Sequence, residues 1–368
     1  MKVVQVLPDL NGGGIERGTL EVAQALVQAG HESVVISGGG KLLSQLETEG
    51  SRHVTWDLGR KSLFTFRHVP ALRRWLLREQ PDILHLRSRM PAWVVWWAWK
   101  MLPKRQRPRL VTTVHGLYSV SPYSAIMCKG ECVIAVSNTI REYIKQNYPG
   151  INMNKVVVIH RGVDPAEFPR GHRPSEAWLE KWRQDFPQLT GKKVLTLPGR
   201  MSRIKGHPDF LQLLALLKNQ SHDYHGLIVG DIDNFHRTYL QELYRQIGDL
   251  GLGQDVTFTG ARSDMRDIYA VSDVVLSLTT KPESFGRTVV EALSIGTPVV
   301  GYDRGGVGEI LSDLFPDGRV PVGSITELAS HVHTICQQHP VIKENHYLLQ
   351  NMLDATLSCY DNLLKTAR

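Results

Sequence analysis

Strand-like and helix-like segments alternate along nearly all of this 368-residue chain. Lys2–Leu7 is rich in β-branched residues, and a segment with one apolar helical face follows it over about residues 15–29. The next strand-like runs in this half include Glu32–Ser37, Ile83–Leu86, Leu110–His115 and Cys132–Val136. Chains that alternate in this way form parallel sheets covered by helices on both faces. We therefore expect an α/β protein with doubly wound sheets.

The alternation starts a second time after residues 161–174, which read RGVDPAEFPRGHRP, show no periodicity and are interpreted as the linker between two domains. New strand-like runs begin at Lys193–Leu197 and continue to about residue 302. A chain of this length, 42% hydrophobic, exceeds one ordinary core. We predict one domain over residues 1–165 and another over 166–347. A last helix, about residues 348–368, is a candidate to pack back on the first domain.

Composition narrows the class of protein only modestly. The formal net charge of +7 is compatible with anionic ligands, anionic lipid or nucleic acid, and it selects none of them. Four cysteines in so long a chain are expected to be reduced thiols, which favours a cytoplasmic protein. No run of 18 apolar residues is present, so we expect no membrane span.

Two glutamates eight positions apart, Glu283 and Glu291, lie within the segment KPESFGRTVVEALSIG. The strand-like run Ala270–Ser277 precedes them, and a helical pattern begins near Thr288. This places Glu283 in a strand-to-helix loop and Glu291 about two turns into the helix. Ligands of open α/β sheets bind at such edges, although the spacing alone is also typical of two solvated glutamates.

Further motifs occur in a fixed order along the chain. They are Gly12-Gly13-Gly14, Thr113-Val114-His115-Gly116, Ala135-Val136-Ser137, Gly162-Val163-Asp164 with Phe168, Gly199-Arg200 with Lys205-Gly206, Glu283-Ser284-Phe285-Gly286 with Glu291-Ala292, and Gly296-Thr297-Pro298-Val299-Val300. Together they resemble the retaining, nucleotide-sugar-dependent glycosyltransferases of family four. The resemblance implies the GT-B fold, in which two Rossmann-like domains face each other across a cleft.

The resemblance also implies a donor site for a nucleoside diphosphate sugar. Catalysis needs positive charge where the leaving diphosphate develops, and Arg200 and Lys205 supply a planar fork and a point charge. Gly13 and Gly14 would let backbone approach the phosphates, although such a cluster is equally suited to a tight turn. Arg262 resembles the segment that flanks the nucleotide base.

Other roles follow from the resemblance alone. Glu291 would accept hydrogen bonds from the ribose hydroxyls, and Glu283 would contact the transferred sugar near the backbone N–H groups of Phe285 and Gly286. His115 would contact a sugar hydroxyl or the developing positive charge. The implied mechanism is same-face substitution, in which the leaving phosphate helps to deprotonate the incoming hydroxyl. Neither glutamate is then a covalent nucleophile, and no cofactor or metal is expected, including at Asp231-Ile232-Asp233.

The segment from Arg87 to Arg109 is the most individual part of the chain. Tryptophans crowd its helix, and basic residues follow them: Trp93, Trp96, Trp97 and Trp99, then Lys104, Arg105, Arg107 and Arg109. One interpretation is a core helix with a solvated basic loop. The other is contact with an anionic membrane that presents a lipid-linked or lipid-anchored acceptor, with Arg87, Arg89, Lys61 and Arg60 binding its phosphates.

The favoured pathway is cell-envelope glycan assembly, such as lipopolysaccharide core, at the inner face of the cytoplasmic membrane. Residues 316–321, which read PDGRVP, depart from the family pattern and are expected to reshape the rim of the donor cleft. The alternatives are a GT-B-like epimerase or phosphorylase, a nicotinamide oxidoreductase, and a non-catalytic basic nucleotide or nucleic-acid binder. The oxidoreductase would need G-x-G-x-x-G, which neither glycine cluster supplies, and we expect no nucleic-acid partner.

Overall fold

The computed structural model describes residues 1–219, 223–231, 237–338 and 340–366. They form two compact units. Unit 1 consists of Met1–His160 together with the C-terminal helix from Gln350 on, and unit 2 consists of Arg161–Leu349. Residues 161–174, interpreted above as a linker, belong to unit 2, where Val163 and Phe168 are buried in its core.

Unit 1 is a parallel sheet of seven strands within the described residues, in the order β3-β2-β1-β4-β5-β6-β7. The strands are β1 Lys2–Val6, β2 Glu32–Ser37, β3 Arg52–Thr55, β4 Ile83–Leu86, β5 Arg109–Val114, β6 Cys132–Ala135 and β7 Val156–Val158. The helices are α1 Gly14–Gln28, α2 Leu43–Thr48, α3 Val69–Glu79, α4 Arg89–Lys100 and α5 Asn138–Asn147. The strand order reverses between β1 and β4, so their carboxyl ends flank a topological switch point, the usual ligand position in such sheets.

The C-terminal helix, α13 (Leu349–Lys365), is grouped with unit 1 and contacts its sheet. Tyr360 is fully buried, and its hydroxyl lies 2.6 Å from Nδ1 of His85 on β4. The Sγ atoms of Cys132 and Cys359, both free thiols, lie 2.9 Å apart. These contacts hold α13 against β4 and β6.

Unit 2 is a parallel sheet of six strands in the described residues, ordered β10-β9-β8-β11-β12-β13. The strands are β8 Lys193–Pro198, β9 Tyr224–Val229, β10 Val256–Gly260, β11 Val274–Ser277, β12 Val299–Tyr302 and β13 Arg319–Val320. The helices are α6 Glu176–Asp185, α7 His207–Asn219, α8 Arg237–Asp249, α9 Met265–Ala270, α10 Arg287–Ile295, α11 Gly305–Leu314 and α12 Ile325–Gln338. The strand order reverses between β8 and β11, which pair directly.

The predicted fold class is confirmed, since both units are doubly wound parallel sheets. Two local predictions were wrong. Ala270 ends α9, so β11 starts only at Val274. Because α10 begins at Arg287, Glu291 lies about one turn into the helix and not two. The segment 316–321 forms a short 3₁₀ turn and the edge strand β13, which pairs with β12.

Candidate functional site

The loops that follow β8 and β11 carry the predicted donor-side residues of unit 2. Arg200 and Lys205 follow β8, while Glu283, Phe285 and Gly286 follow β11. Because β8 and β11 are hydrogen-bonded neighbours at the point where strand order reverses, both loops leave the same edge of the sheet side by side. Residues 78 positions apart are thereby brought together.

Lys205 and Glu283 are in direct contact in this arrangement. Nζ of Lys205 donates a hydrogen bond to Oε1 of Glu283 at 2.5 Å, and both side chains are about three-quarters buried, with 24% and 23% exposed. Lysine has three N–H donors, so this contact leaves it able to bind a further anion. The pair forms the charged centre of the candidate site.

Backbone contacts fix the position of Lys205. The N–H of Thr280 and the hydroxyl of Thr279 donate to the carbonyl of Ile204, at 2.8 and 2.9 Å. Gly206 follows with φ of +77°, and a Cβ there would lie 2.0 Å from the carbonyl oxygen of Leu278. Only glycine fits this close approach, so the loop after β8 is fastened to the loop after β11.

The loop of Glu283 is fixed from its other side by α11. The N–H of Gly306 donates to the carbonyl of Glu283 at 2.8 Å. Gly286 caps α10 with φ of +106°, and an added Cβ would lie 3.2 Å from Val307 of α11. Phe285 is buried against Tyr347, with ring centroids 5.7 Å apart. Glu283 is therefore held by rigid backbone and not by a solvated loop.

Glu291 is a buried carboxylate, with 7% of the residue exposed. It accepts a hydrogen bond from Nε of Arg287 at 3.0 Å and from the hydroxyl of Tyr269 at 3.3 Å. Burial and the nearby carboxylate raise the pKa of Tyr269 well above its usual value. A buried carboxylate must be compensated in this way, and the i,i+4 spacing of Arg287 could have revealed that partner from the sequence. No local sequence pattern identifies Tyr269 as a partner of Glu291.

The two other predicted cations of unit 2 differ from each other. Arg200 is exposed, and within the described residues its side chain has no hydrogen-bond or ion-pair partner. Arg262 instead makes a two-pronged ion pair with Asp264 at 2.8 and 2.5 Å, and Nε1 of Trp178 also donates to Asp264. Burial opposes ionisation of Asp264, but these hydrogen bonds outweigh it and lower the pKa of the carboxyl. Arg262 is thus committed to a local structural pair.

His207, which sequence reasoning missed, lies directly behind the Lys205 loop. It is fully buried, and its Nδ1 lies 3.2 Å from the hydroxyl of Tyr239. Burial, with a contribution from the charge of Lys205, lowers the pKa of His207 to about 4, against a weaker opposing hydrogen bond with the backbone of Ser202. The imidazole is therefore neutral at pH 7 and adds no positive charge beside Lys205.

This burial predicts an acid-sensitive unit 2. The unfolded chain binds a proton on His207 below about pH 6.5, whereas the folded chain does so only near pH 4. The free energy of unfolding should therefore be unaffected above pH 7 and should fall by about 3 kcal/mol between pH 6.5 and 4. Urea unfolding of the wild type and His207→Asn across this range measures the difference. Equal pH slopes for the two proteins would contradict the assignment.

In unit 1, the predicted residues Gly13, Gly14 and His115 lie on the connections that follow the carboxyl ends of β1 and β5. Gly13 caps α1 at the end of the loop after β1, in extended backbone, and the carboxylate of Glu16 lies close to it. His115 directly follows β5 and is half-buried. The backbone N–H of His115 donates to the hydroxyl of Tyr118 at 3.2 Å. These positions match the edge at which ligands bind in doubly wound sheets.

Arg87 was predicted to bind acceptor phosphates or membrane, and its burial contradicts this. Only 1% of Arg87 is exposed, and its Nε donates to Oε1 of Gln5 at 2.7 Å. Burial lowers the pKa of the guanidinium, and the neighbouring Tyr360 opposes this effect. Arg87 is thus part of an internal polar network and cannot contact a lipid surface.

The tryptophans of α4 are divided between core and surface. Trp93 and Trp96 pack partly against the core of unit 1, and Nε1 of Trp93 donates to the carbonyl of Tyr123 at 2.9 Å. Trp97 is 44% exposed. Lys100 and Lys129 lie over the ring of Trp96 at 4.7 and 5.2 Å. Most apolar residues of α4 are therefore internal, which favours the core-helix interpretation for the helix as a whole.

No helix in the described ranges is both long and apolar enough to cross a bilayer. The same residues contain no group of three or more metal-ligating side chains. Ile232 and Asp233 of the Asp-x-Asp segment lie outside the described residues, and the absence of a metal there stays a prediction.

Comparisons with known proteins agree with this architecture. The family model described as "Glycosyltransferase Family 4" matches residues 12–167, and the model described as "Glycosyl transferases group 1" matches residues 179–351. Two Rossmann-like units with these matches define a glycosyltransferase of the GT-B class. The chain belongs to the family 4 glycosyltransferases.

Individual relatives cover most of the chain. A glycosyltransferase from Rickettsia africae is 29% identical, with a TM-score of 0.84 over 100% of this chain and 99% of that one. The Anabaena protein HepE, solved with UDP-glucose, is 21% identical, with a TM-score of 0.75 over 99% of this chain and 97% of its own. Spore coat protein SA of Bacillus subtilis is 26% identical over 324 residues, or 83% of this chain and 80% of the relative.

Proposed function

We propose that the protein transfers a sugar from a nucleoside diphosphate sugar to a hydroxyl group, with retention of configuration at the anomeric carbon. The contact between Lys205 and Glu283 carries this proposal, because it puts a cation and a carboxylate 2.5 Å apart at the switch point of unit 2, where a ligand's charged and hydroxyl groups can both be bound. The relative HepE was solved with UDP-glucose, which supports a nucleotide-sugar donor.

Each residue then has a defined task. Lys205 and the exposed Arg200 bind the diphosphate and stabilise its charge as it leaves. Glu283 accepts hydrogen bonds from the hydroxyls of the transferred sugar, and Glu291 accepts them from the ribose. Arg262 contributes less to donor binding, because its guanidinium is already paired with the carboxylate of Asp264. No cofactor or metal takes part.

The reaction needs no enzyme carboxylate as nucleophile. The bond between the anomeric carbon and the phosphate oxygen breaks, and the acceptor oxygen bonds to that carbon on the same face. The acceptor proton passes to the leaving phosphate oxygen, and nucleoside diphosphate is released. His115 of unit 1 contacts a sugar hydroxyl or the positive charge that develops at the anomeric carbon. The acceptor is a glycan or a lipid-anchored glycan of the cell envelope, such as lipopolysaccharide core.

A donor panel tests this proposal. The protein is incubated separately with UDP-, GDP- and ADP-sugars, and thermal unfolding and nucleotide release are measured. At saturating donor, about a hundred times Kd, bound donor should stabilise the fold by about 2.7 kcal/mol. The anomeric configuration of any product is then read by NMR. If no donor stabilises the protein and none is turned over, the proposal is refuted. Formation of an epimerised nucleotide sugar would instead favour a GT-B-like epimerase.

A further inference from the structure

An apolar cavity of about 530 Å³ lies in unit 1, outside the site described so far. Its lining is almost entirely apolar and comes from the turn before α3, the start of α4 and the loop after β5: Lys61, Ser62, Leu63, Phe66, Met90, Trp93, Pro122 and Tyr123. This volume is typical of small-molecule sites, which are mostly apolar with a few polar groups. Filling such a cavity with an apolar group would remove hydrophobic surface from water.

The mouth of the cavity presents apolar side chains and cations together. Leu63 is 88% exposed and Phe64 is 68% exposed, on a short 3₁₀ turn over Leu63–His68. The guanidinium of Arg67 lies 4.1 Å from the centroid of the Phe64 ring, and Lys61 is exposed beside them. Adjacent exposed apolar side chains rimmed by charged residues have the character of an interaction site, and the flanking cations favour an anionic partner.

Arg89 connects this cavity to the edge that holds His115. Its guanidinium stacks over the rings of Tyr118 and Tyr123, at 4.5 and 5.5 Å, and donates to Ser124 at 3.2 Å. Within the described residues no carboxylate pairs with Arg89. The hydroxyl of Tyr118 accepts a hydrogen bond from the backbone N–H of His115, whereas Tyr123 lines the cavity. A guanidinium held in this way is suited to bind a phosphate.

We propose that the cavity binds an alkyl chain of an anionic amphiphile, whose phosphate lies on Arg89 and whose remaining headgroup points toward His115. This inference rests on the proposed function, because the amphiphile is then the acceptor. The cavity supplies affinity and Arg89 supplies selectivity for the charged headgroup. Lys61 and Arg67 at the mouth add long-range attraction for the anion.

The test is a calorimetric titration of the purified full-length protein with dodecyl phosphate, dodecyl maltoside and inorganic phosphate, each below micelle-forming concentration. Dodecyl phosphate should bind at least tenfold more tightly than either other probe. Leu63→Asp should weaken it at least tenfold, whereas Val341→Asp, at an equally exposed apolar residue of unit 2, should change it less than twofold. Arg89→Gln should remove the preference for phosphate over maltoside.

Four outcomes would overturn the inference. Three of them are equal binding of dodecyl phosphate and dodecyl maltoside to the wild type, equal weakening by Leu63→Asp and Val341→Asp, and an Arg89→Gln protein that keeps its preference for phosphate. A fourth is loss of binding to anionic vesicles in Leu63→Asp with unchanged dodecyl phosphate affinity, which assigns Leu63 to bilayer contact. Nucleotide-sugar stabilisation is measured on the same proteins. If dodecyl phosphate binds but no nucleotide sugar stabilises the protein, the cavity assignment stands and the proposed function fails. If nucleotide sugars stabilise the protein but dodecyl phosphate does not bind, the proposed function stands and the cavity assignment fails.

Discussion

Replacing Lys205 with alanine should lower kcat/KM for sugar transfer by about a hundred- to a thousandfold, mainly through kcat. The diphosphate gains negative charge as the sugar departs, so a fixed cation there stabilises the transition state more than the bound donor. The fastening of Ile204 to Thr279 and Thr280 holds Lys205 in place before the donor binds. The assay is nucleotide release from the donor that the panel identifies.

Lys218→Ala is the matched control, because Lys218 also pairs with a carboxylate of unit 2, Asp255, at 2.7 Å. It lies near the C-terminal end of α7 and not in the loop after β8 or β11, so its removal should change kcat/KM less than twofold. A loss of less than tenfold in Lys205→Ala, or an equal loss in both variants, would show that Lys205 is only a structural ion-pair partner.

Glu283→Gln extends this prediction, because Lys205 and Glu283 should affect nucleoside diphosphate affinity differently. Removing Lys205 deletes a charge that binds the diphosphate, so product affinity should fall. Glu283→Gln removes the carboxylate that now neutralises Lys205, so product affinity should hold or rise while kcat falls. Equal weakening of product binding by both changes would mean that Glu283 acts only by positioning Lys205.

Positions near strand ends were predicted well from the sequence, and the physical reason is local. Buried parallel strands are continuous β-branched runs, and the ligand loops of such sheets must follow them. Lys193–Leu197 and Ile83–Leu86 were therefore placed almost to the residue. The resemblance then assigned Lys205 and Glu283 to one site, and the structure brings them together through the pairing of β8 with β11.

The burial of charged residues could not be predicted from local sequence patterns. Arg87 stands in a basic stretch, which suggested a surface role. Its partner Gln5 lies 82 residues away, and its other neighbour, Tyr360, comes from the C-terminal helix α13. Contacts of this range depend on which strands become neighbours and on the return of α13. No local pattern around Arg87 encodes either of them.

For the tryptophan-rich segment, the sequence predicted the helix but not which of its apolar residues are exposed. Its apolar residues predicted a helix correctly, but hydrophobicity all round a helix does not say which face is covered. Trp93 is partly covered by the loop after β5 through Tyr123, whereas Trp97 remains at the surface. Leu63 and Phe64 were not singled out at all, because two exposed apolar residues carry no periodic signal. Their meaning comes from the cavity beside them.

Glu291 should determine how strongly the protein prefers a ribonucleotide. The buried carboxylate of Glu291 accepts hydrogen bonds from Arg287 and Tyr269, and the two oxygens of a carboxylate together offer about four acceptor positions. Hydrogen bonds to a charged group contribute about 1.5–3 kcal/mol, so the wild type should bind UDP about 10 to 100 times more tightly than 2′,3′-dideoxy-UDP. If the panel identifies GDP or ADP instead, the matching dideoxy compound is used.

Glu291→Gln should lose most of this preference by weakening UDP while leaving the dideoxy compound nearly unchanged. The amide keeps the shape of the side chain and one acceptor oxygen but lacks the charge. Glu242→Gln is the control, because Glu242 pairs with Arg203 at 2.6 Å beside the Lys205 loop and has no proposed contact with ribose. Calorimetry gives all the affinities. If Glu291→Gln weakens both ligands equally, the carboxylate acts only by holding Arg287 and Tyr269 in the core of unit 2, and the ribose assignment fails.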